Sequence, residues 1–128
     1  MAGVEHTVET MPDLTAEAIL GKDDTRIEPV DVPEWGGRVY VRSSKGTVVD
    51  EVLGIMQSLQ VDKGLNAAKF SAEVVARTVC DRDGKLLFTV NQAGALREKD
   101  YRPVERLATA GMKMLGIDLG AQDAAGKN

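Results

Sequence analysis

Histidine and cysteine, the side chains that most often carry acid–base, nucleophilic and metal chemistry, occur once each in this chain, as His6 and Cys80. A Ser-His-Asp or Cys-His site needs a histidine beside the nucleophile, and a zinc site needs several such ligands. His6 lies in a polar, unpatterned N-terminal stretch. We therefore predict no catalytic residues, no metal site and no cofactor, and expect a binding or assembly protein rather than an enzyme.

The single cysteine also excludes an intrachain disulfide, which suits a reducing compartment. Cys80 follows an apolar run, and a free cysteine in that setting usually behaves as a small hydrophobic side chain. We interpret Cys80 as inert.

The sequence patterns of known ligand-binding loops are missing as well. Gly36-Gly37 is not followed by Lys-Ser or Lys-Thr and opens no predicted helix, so it does not match a phosphate-binding loop. Asp81-Arg82-Asp83-Gly84 begins like a calcium loop, but such a loop needs Gly and Glu where this chain has Leu86 and Gln92. We interpret this segment as a tight turn with Gly84 in the left-handed conformation.

Basic runs and long apolar runs are also absent. The net charge of -4 and the pI near 5.0 argue against nucleic-acid binding. No apolar run approaches membrane-spanning length, and the N-terminus does not resemble a signal peptide. With 128 residues, 43% hydrophobic and 4% aromatic, the chain should form one domain with a core of Val, Leu, Ala and Met. We place that domain at 13–117, between flexible tails at 1–12 and 118–128.

What the sequence does contain is, first, a β-hairpin pattern centred on Gly36-Gly37. Apolar and polar side chains alternate before the turn, up to Val32, and after it, from Val39. We expect both glycines to supply the positive φ of a tight reversal. Trp35 lies at the bend; we favour a ring that covers one end of the core, and the alternative is a ring presented to a partner.

Helical signals flank this hairpin. They predict a short helix at 13–21 capped by Asp13 or Thr15, a longer one from Thr47 to a stop at 62–64, and a third at 90–98 that starts with a capping box formed by Thr89 and Gln92. The last helix has the clearest apolar stripe, with Gly116 as its C-cap candidate: Val104, Leu107, Ala108, Gly111, Met112 and Leu115.

Residues 66–80 fit two interpretations. Ala67, Ala68 and Ala72 favour a helix, which we predict, whereas the β-branched residues up to Val79 would suit a buried strand. The whole pattern predicts an α+β fold in which an N-terminal β-hairpin packs against a small bundle of about four to five α-helices.

Taken in order, these landmarks resemble the tail assembly chaperones of long-tailed, non-contractile (siphovirus-type) phages and prophages. The resemblance covers roughly 13–117, and Pro-Glu-Trp-Gly-Gly at 33–37 is its most specific part. Its segments are Asp13–Leu20, Val32–Arg42, Asp81–Thr89, Leu96–Lys99 and Leu115–Ile117. Relatives often carry a basic-acidic stretch after Arg42 where this chain has Ser43–Asp50, so no contacts are carried over between Ser43 and Asn66.

The resemblance implies a role in the host cytoplasm during tail assembly. Members of this family bind the tape measure protein, keep it soluble, help to recruit the major tail (tube) protein and leave before the virion is complete. Many are also made as a longer product by ribosomal frameshifting, which a slippery codon run at Gly126-Lys127 would permit here. The longer form and self-association are further expected partnerships, without nucleic acid or membrane.

Two other classes of protein stay open. One is a small structural tail component, such as a connector or terminator subunit, which would be present in purified tails where a chaperone would be absent. The other is a small enzyme, against which the missing catalytic residues argue.

A chaperone of a long helical protein needs an adaptable apolar surface, and methionine suits that role. Met56, Met112 and Met114 lie in the two best helical patterns, with Met114 just off the stripe and expected to be exposed. We predict Trp35, Met56, Met112 and Met114 as partner-binding residues, and a helix-binding groove built from Val48–Leu59 and Val104–Leu115. The alternative is that both stretches simply form the core.

Overall fold

The computed structural model describes residues 11–61 and 66–117 and has the predicted α+β architecture. Its strands form one antiparallel sheet in the order β1-β2-β3, namely β1 (Ile27–Val32), β2 (Gly37–Arg42) and β3 (Val79–Cys80). The helices of the described ranges are α1 (Ala16–Leu20), α2 (Gly46–Val61), α3 (Ala67–Thr78), α4 (Ala93–Leu96) and α5 (Tyr101–Met114). Helix α5 packs against α3 and the hairpin, and α3 also packs against α2.

The hairpin reverses through a short 3-10 turn, Pro33–Trp35, rather than through a two-glycine turn. The Gly36 N–H donates to the Pro33 carbonyl over 3.0 Å, and Gly36 adopts a left-handed φ of 73°. Gly37 does not share this conformation and instead begins β2, opposite Val32. The expectation of positive φ is therefore confirmed for Gly36 and wrong for Gly37, because Pro33 presets the first turn residue and leaves one left-handed position to fill.

Trp35 lies at the outer end of this turn and is 38% exposed. Val32, which directly precedes the turn, is 1% exposed and belongs to the core. Trp35 lies beyond the last paired residues of the strands, Val32 and Gly37, and is partly exposed, so the expectation that its ring closes one end of the core is not confirmed.

The ambiguous segment 66–80 is helix and strand in succession. Helix α3 ends at Thr78, and Val79 and Cys80 then pair with Val41 and Tyr40 at the inner edge of the hairpin. The predicted helix is confirmed up to Thr78, and the strand alternative holds for the two residues that follow. Burial on most sides of α3 explains why periodicity alone could not separate the two interpretations.

Helices α3 and α5 meet at a glycine. A Cβ on Gly111 would overlap the hydroxyl oxygen of Thr78, which donates to the Val74 carbonyl over 2.8 Å. Only a residue without a side chain permits this close approach. The predicted stripe of α5 is confirmed, since all six of its members are buried.

Local signals elsewhere in the chain are confirmed. Thr89 and Gln92 form the capping box, although the segment begins as a 3-10 turn and α4 ends at Leu96, short of the predicted 98. Gly84 is left-handed at φ 86°, and Gly116 at φ 80° ends α5, with the Ile117 N–H bonded to the Met112 carbonyl. The predicted stop at 62–64 and, apart from residues 11 and 12, both predicted tails lie outside the described residues.

Candidate partner-binding surface

Three of the four residues predicted to bind a partner belong to the core. Met56, Met112 and Met114 are 9%, 8% and 7% exposed. The expectation that Met114 is exposed is wrong, because the buried face of α5 widens in its last turn, where Gly111 and Leu115 are buried as well. A partner-binding role for these methionines stays a prediction, and it would require the core to open.

The two stretches predicted to form a groove do not face each other. Helix α3 turns the side that carries Arg77 towards α2 and the side that carries Thr78 towards α5. Because α3 stands between them, Val104–Leu115 contributes to the core, and any groove along Val48–Leu59 has α3 as its other wall.

A bidentate ion pair joins the hairpin tip to α5. Arg106 donates to both carboxylate oxygens of Glu34, over 2.7 and 2.6 Å. These hydrogen bonds from Arg106 lower the pKa of Glu34 from 4.5 to about 2. The neighbouring Trp35 is therefore held on an anchored turn with part of its ring in solvent, and it stays a candidate contact residue.

A second apolar surface lies at the N-terminal side of the domain. Helix α1 is capped by the Thr15 hydroxyl, which accepts from the Ala18 N–H over 3.1 Å, and none of its residues is buried. Leu14, Ile19 and Leu20 are 68%, 55% and 85% exposed. Exposed leucine and isoleucine side chains this close together are typical of an interaction site.

The third surface is a cleft between α2 and α3. The helices run antiparallel, since Glu51 near the start of α2 pairs with Arg77 near the end of α3, and Leu59 near the end of α2 lines the same cleft as Lys69 near the start of α3. The cleft has a volume of about 470 Å³. It is lined by Glu51, Gly54, Ile55, Ser58, Leu59, Lys69, Glu73 and Arg77.

Arg77 joins the two helices at this cleft. Its Nε lies 2.9 Å from the Glu51 carboxylate and its Nη1 lies 2.6 Å from the Glu73 carboxylate, while the Arg77 side chain is only 11% exposed. The cleft continues past this group into a second one of about 290 Å³, which shares Glu51 and Arg77 with the first. The second cleft is largely apolar, with Val48, Ala76, Leu86, Phe88 and Val90 in its lining.

Gly54 lies in the wall of the first cleft, in the middle of α2. A glycine there destabilises a helix by about 1 kcal/mol relative to alanine. Among the described residues, no atom apart from its chain neighbours and the backbone of α2 lies within 4 Å of the position that a Cβ on Gly54 would take. The packing of the described chain therefore does not require a glycine at this position, in contrast to Gly111.

Other chemistry is limited in the described residues. Burial raises the pKa of the Cys80 thiol, which agrees with an inert side chain. No group of three or more potential metal ligands occurs in the described ranges. None of the helices there has the length and hydropathy needed to cross a membrane.

Comparison with known proteins gives a structural match. The fold is similar to that of the bacteriophage HK97 tail assembly chaperone, with a TM-score of 0.55 and 21% sequence identity, over 70% of this chain and 85% of that one. No protein-family model matches the sequence, and no curated protein matches it significantly. The domain therefore has the fold of a phage tail assembly chaperone, the same class that the sequence landmarks resemble.

Sequence reasoning missed the cleft and the exposed face of α1. The i, i+4 spacing of Glu73 and Arg77 was a usable signal, because it places an ion pair on one side of α3. Gly54 beside the apolar stripe of α2 was another, since a glycine inside a helix costs stability and so points to a reason outside helix propensity.

Proposed function

We propose that this protein is a phage tail assembly chaperone that binds the tape measure protein, keeps it soluble and promotes assembly of the tail tube. The similarity of its fold to the HK97 tail assembly chaperone, over 85% of that chain, carries the proposal. On this view the protein acts in the host cytoplasm and is absent from the finished virion. The major tail protein and a longer, frameshifted form of the chain are its further proposed partners.

The exposed surfaces support a helical partner. A tape measure protein is a long helix whose apolar stripes would aggregate if left uncovered. Exposed side chains on α1, at Trp35 and along the α2–α3 cleft offer apolar area to such a stripe. An amphipathic helix in an apolar groove is a common mode of recognition.

The outer edge of the sheet is poorly suited to the alternative mode, strand addition. The Ser43 N–H donates to the Arg26 carbonyl over 2.9 Å, so the alternation of an antiparallel pair turns the backbone of Ile27, Pro29 and Asp31 outwards. Pro29 has no N–H to donate at the centre of that row. A partner strand would lose a hydrogen bond there, which favours a helix as the ligand.

Co-expression tests the proposal directly. The tape measure protein of the phage or prophage that encodes this chain should be insoluble alone, and it should be recovered as a soluble complex when this chain is present. Mass spectrometry of purified tails should then find no trace of the chain. Recovery of this chain in purified tails in stoichiometric amounts would instead indicate a structural tail component. A tape measure protein that stays insoluble both with and without this chain would contradict the proposal.

The longer form is tested separately. Mass spectrometry of protein expressed from the native gene region should find a second product that shares this sequence to about residue 127 and continues in another frame. A single product that ends at Asn128 would remove frameshifting from the proposal and leave the chaperone role intact.

A further inference from the structure

We propose that the cleft between α2 and α3 is the binding site for one amphipathic helix of the tape measure protein. In this complex the backbone of the bound helix approaches the backbone of α2 most closely at Gly54. This inference rests on the proposed function and adds to it the surface, the binding mode and the chemistry of the occupant.

Gly54 provides the first argument. It weakens α2 relative to alanine, it is exposed, and within 11–61 and 66–117 no residue beyond α2 itself occupies the space next to its Cα. Gly111 shows what a glycine does when its own chain needs it, because the Thr78 side chain fills the space there. A partner that packs on α2 at Gly54 supplies the missing neighbour.

The shape of the cleft provides the second argument. Glu51, Gly54 and Ser58 recur at intervals of three and four along α2, and Lys69, Glu73 and Arg77 recur at intervals of four along α3. At 1.5 Å per residue these rows are about 10–12 Å long. Two parallel walls of that length, with Ile55 and Leu59 half-buried between them, fit about two turns of a third helix.

The charges around Arg77 define the occupant further. Arg77 already contacts the carboxylates of Glu51 and Glu73, so this end of the cleft carries one net negative charge. Lys69 lines the cleft at its other end and brings the charge of the whole lining to zero. The Glu51 side chain is 52% exposed and keeps acceptor capacity towards the cleft. The complementary occupant is therefore a helix whose apolar stripe is flanked by Lys or Arg at the level of Glu51 and by Asp or Glu at the level of Lys69.

A pair of glycine substitutions tests the approach point. Gly54→Ala should raise the melting temperature of the free protein by about 2–6 °C, because alanine is the better helix former, and yet weaken the complex with the tape measure protein about tenfold or more. Gly94→Ala is the matched control, since Gly94 is also helical with nothing within 4 Å of its Cβ position but lies outside the cleft. The control should leave the affinity for the tape measure protein unchanged.

A second pair tests the cleft without relying on glycine. Ser58→Arg places a long side chain in the cleft, whereas Gln57→Arg adds the same charge at the neighbouring exposed position, which does not line it. Both variants should fold, and only Ser58→Arg should lose the soluble complex on co-expression. If both variants keep the tape measure protein soluble equally well, the cleft is not its binding site.

The outcomes separate this inference from the proposed function. If the unchanged chain fails to keep the tape measure protein soluble, the proposed function fails. If the unchanged chain succeeds and Gly54→Ala and Ser58→Arg succeed equally well, the function stands and the cleft assignment falls. If these variants change the oligomeric state in gel filtration and leave the tape measure complex intact, the cleft holds a second copy of the chain and the inference is wrong.

Discussion

Helices α5 and α2 both carry a regular apolar stripe, yet the protein uses the two stripes differently. Every predicted stripe residue of α5 is buried. In α2, Val52 and Met56 are buried, whereas Ile55 and Leu59 are half-buried and line the cleft beside α3. The two helices have similar apolar periodicity in the sequence, but they differ in which elements of the protein pack against them.

Neighbouring elements explain the difference. Helix α5 packs against α3 and against both strands of the hairpin, so its apolar face is covered over a wide arc. Among the described elements, α2 has α3 as its main neighbour, and Ile55 and Leu59 of its stripe remain half-buried. Periodicity thus identifies the apolar face of a helix, and the tertiary structure decides whether that face becomes core or binding surface.

Introducing a charge into the buried face of α5 and into the half-buried stripe of α2 should give the largest contrast. Met114→Glu should lower the free energy of unfolding by at least about 3 kcal/mol, because it removes buried apolar contacts and places a carboxylate among them. Ile55→Glu should cost less than about 1.5 kcal/mol, since its side chain can reach solvent. Urea unfolding of both variants measures the difference, and Met114→Leu is the control for side-chain volume, expected to cost less than about 1.5 kcal/mol. An unchanged midpoint for Met114→Glu would mean that the last turn of α5 is not core.

Substitution of glycine by alanine should change the free energy of unfolding in opposite directions in the two helices. Gly111→Ala should destabilise the fold by about 1–3 kcal/mol, because the new Cβ overlaps the Thr78 side chain. Gly54→Ala should stabilise the free protein by about 0.5–1 kcal/mol, since its Cβ meets open space. Thermal unfolding measures both shifts. Adding Thr78→Ala to Gly111→Ala should recover part of the loss, and strictly additive effects would contradict the contact.

A structural feature could be predicted from the sequence when the residues that determine it are close together in the chain. The capping box at Thr89 and the left-handed glycines Gly84 and Gly116 rest on a few neighbouring residues, and all were predictable. The burial of Met114 and the partial exposure of Trp35 depend on elements distant in sequence, and the sequence predicted neither. The cleft needed the orientation of α2 against α3, which no local pattern contains.

Trp35 tests the same contrast at the hairpin tip, with a smaller effect. Because the ring is 38% exposed, Trp35→Ala should cost about 1–2 kcal/mol rather than the roughly 3–5 kcal/mol of a fully buried large aromatic. Chemical denaturation measures the stability, and retention of the tape measure protein measures binding. Loss of binding with a small change in stability would show that Trp35 contacts the partner. A loss of stability of about 3–5 kcal/mol would show instead that the ring is part of the core.

The smallest expected effect concerns the outer face of α5, where Arg106 holds Glu34. The pKa of Glu34 is lowered to about 2 in the folded protein from 4.5, so the ion pair stabilises the fold fully above about pH 4.5, and its contribution is lost as the pH falls towards 2. Glu34→Gln removes the carboxylate and should flatten that part of the stability–pH profile without affecting the buried face of α5. The comparison is made by urea unfolding of both proteins across this pH range, where their stabilities should converge at the acid end. A difference that persists unchanged at the lowest pH would show that Glu34 stabilises the turn by packing rather than by its charge.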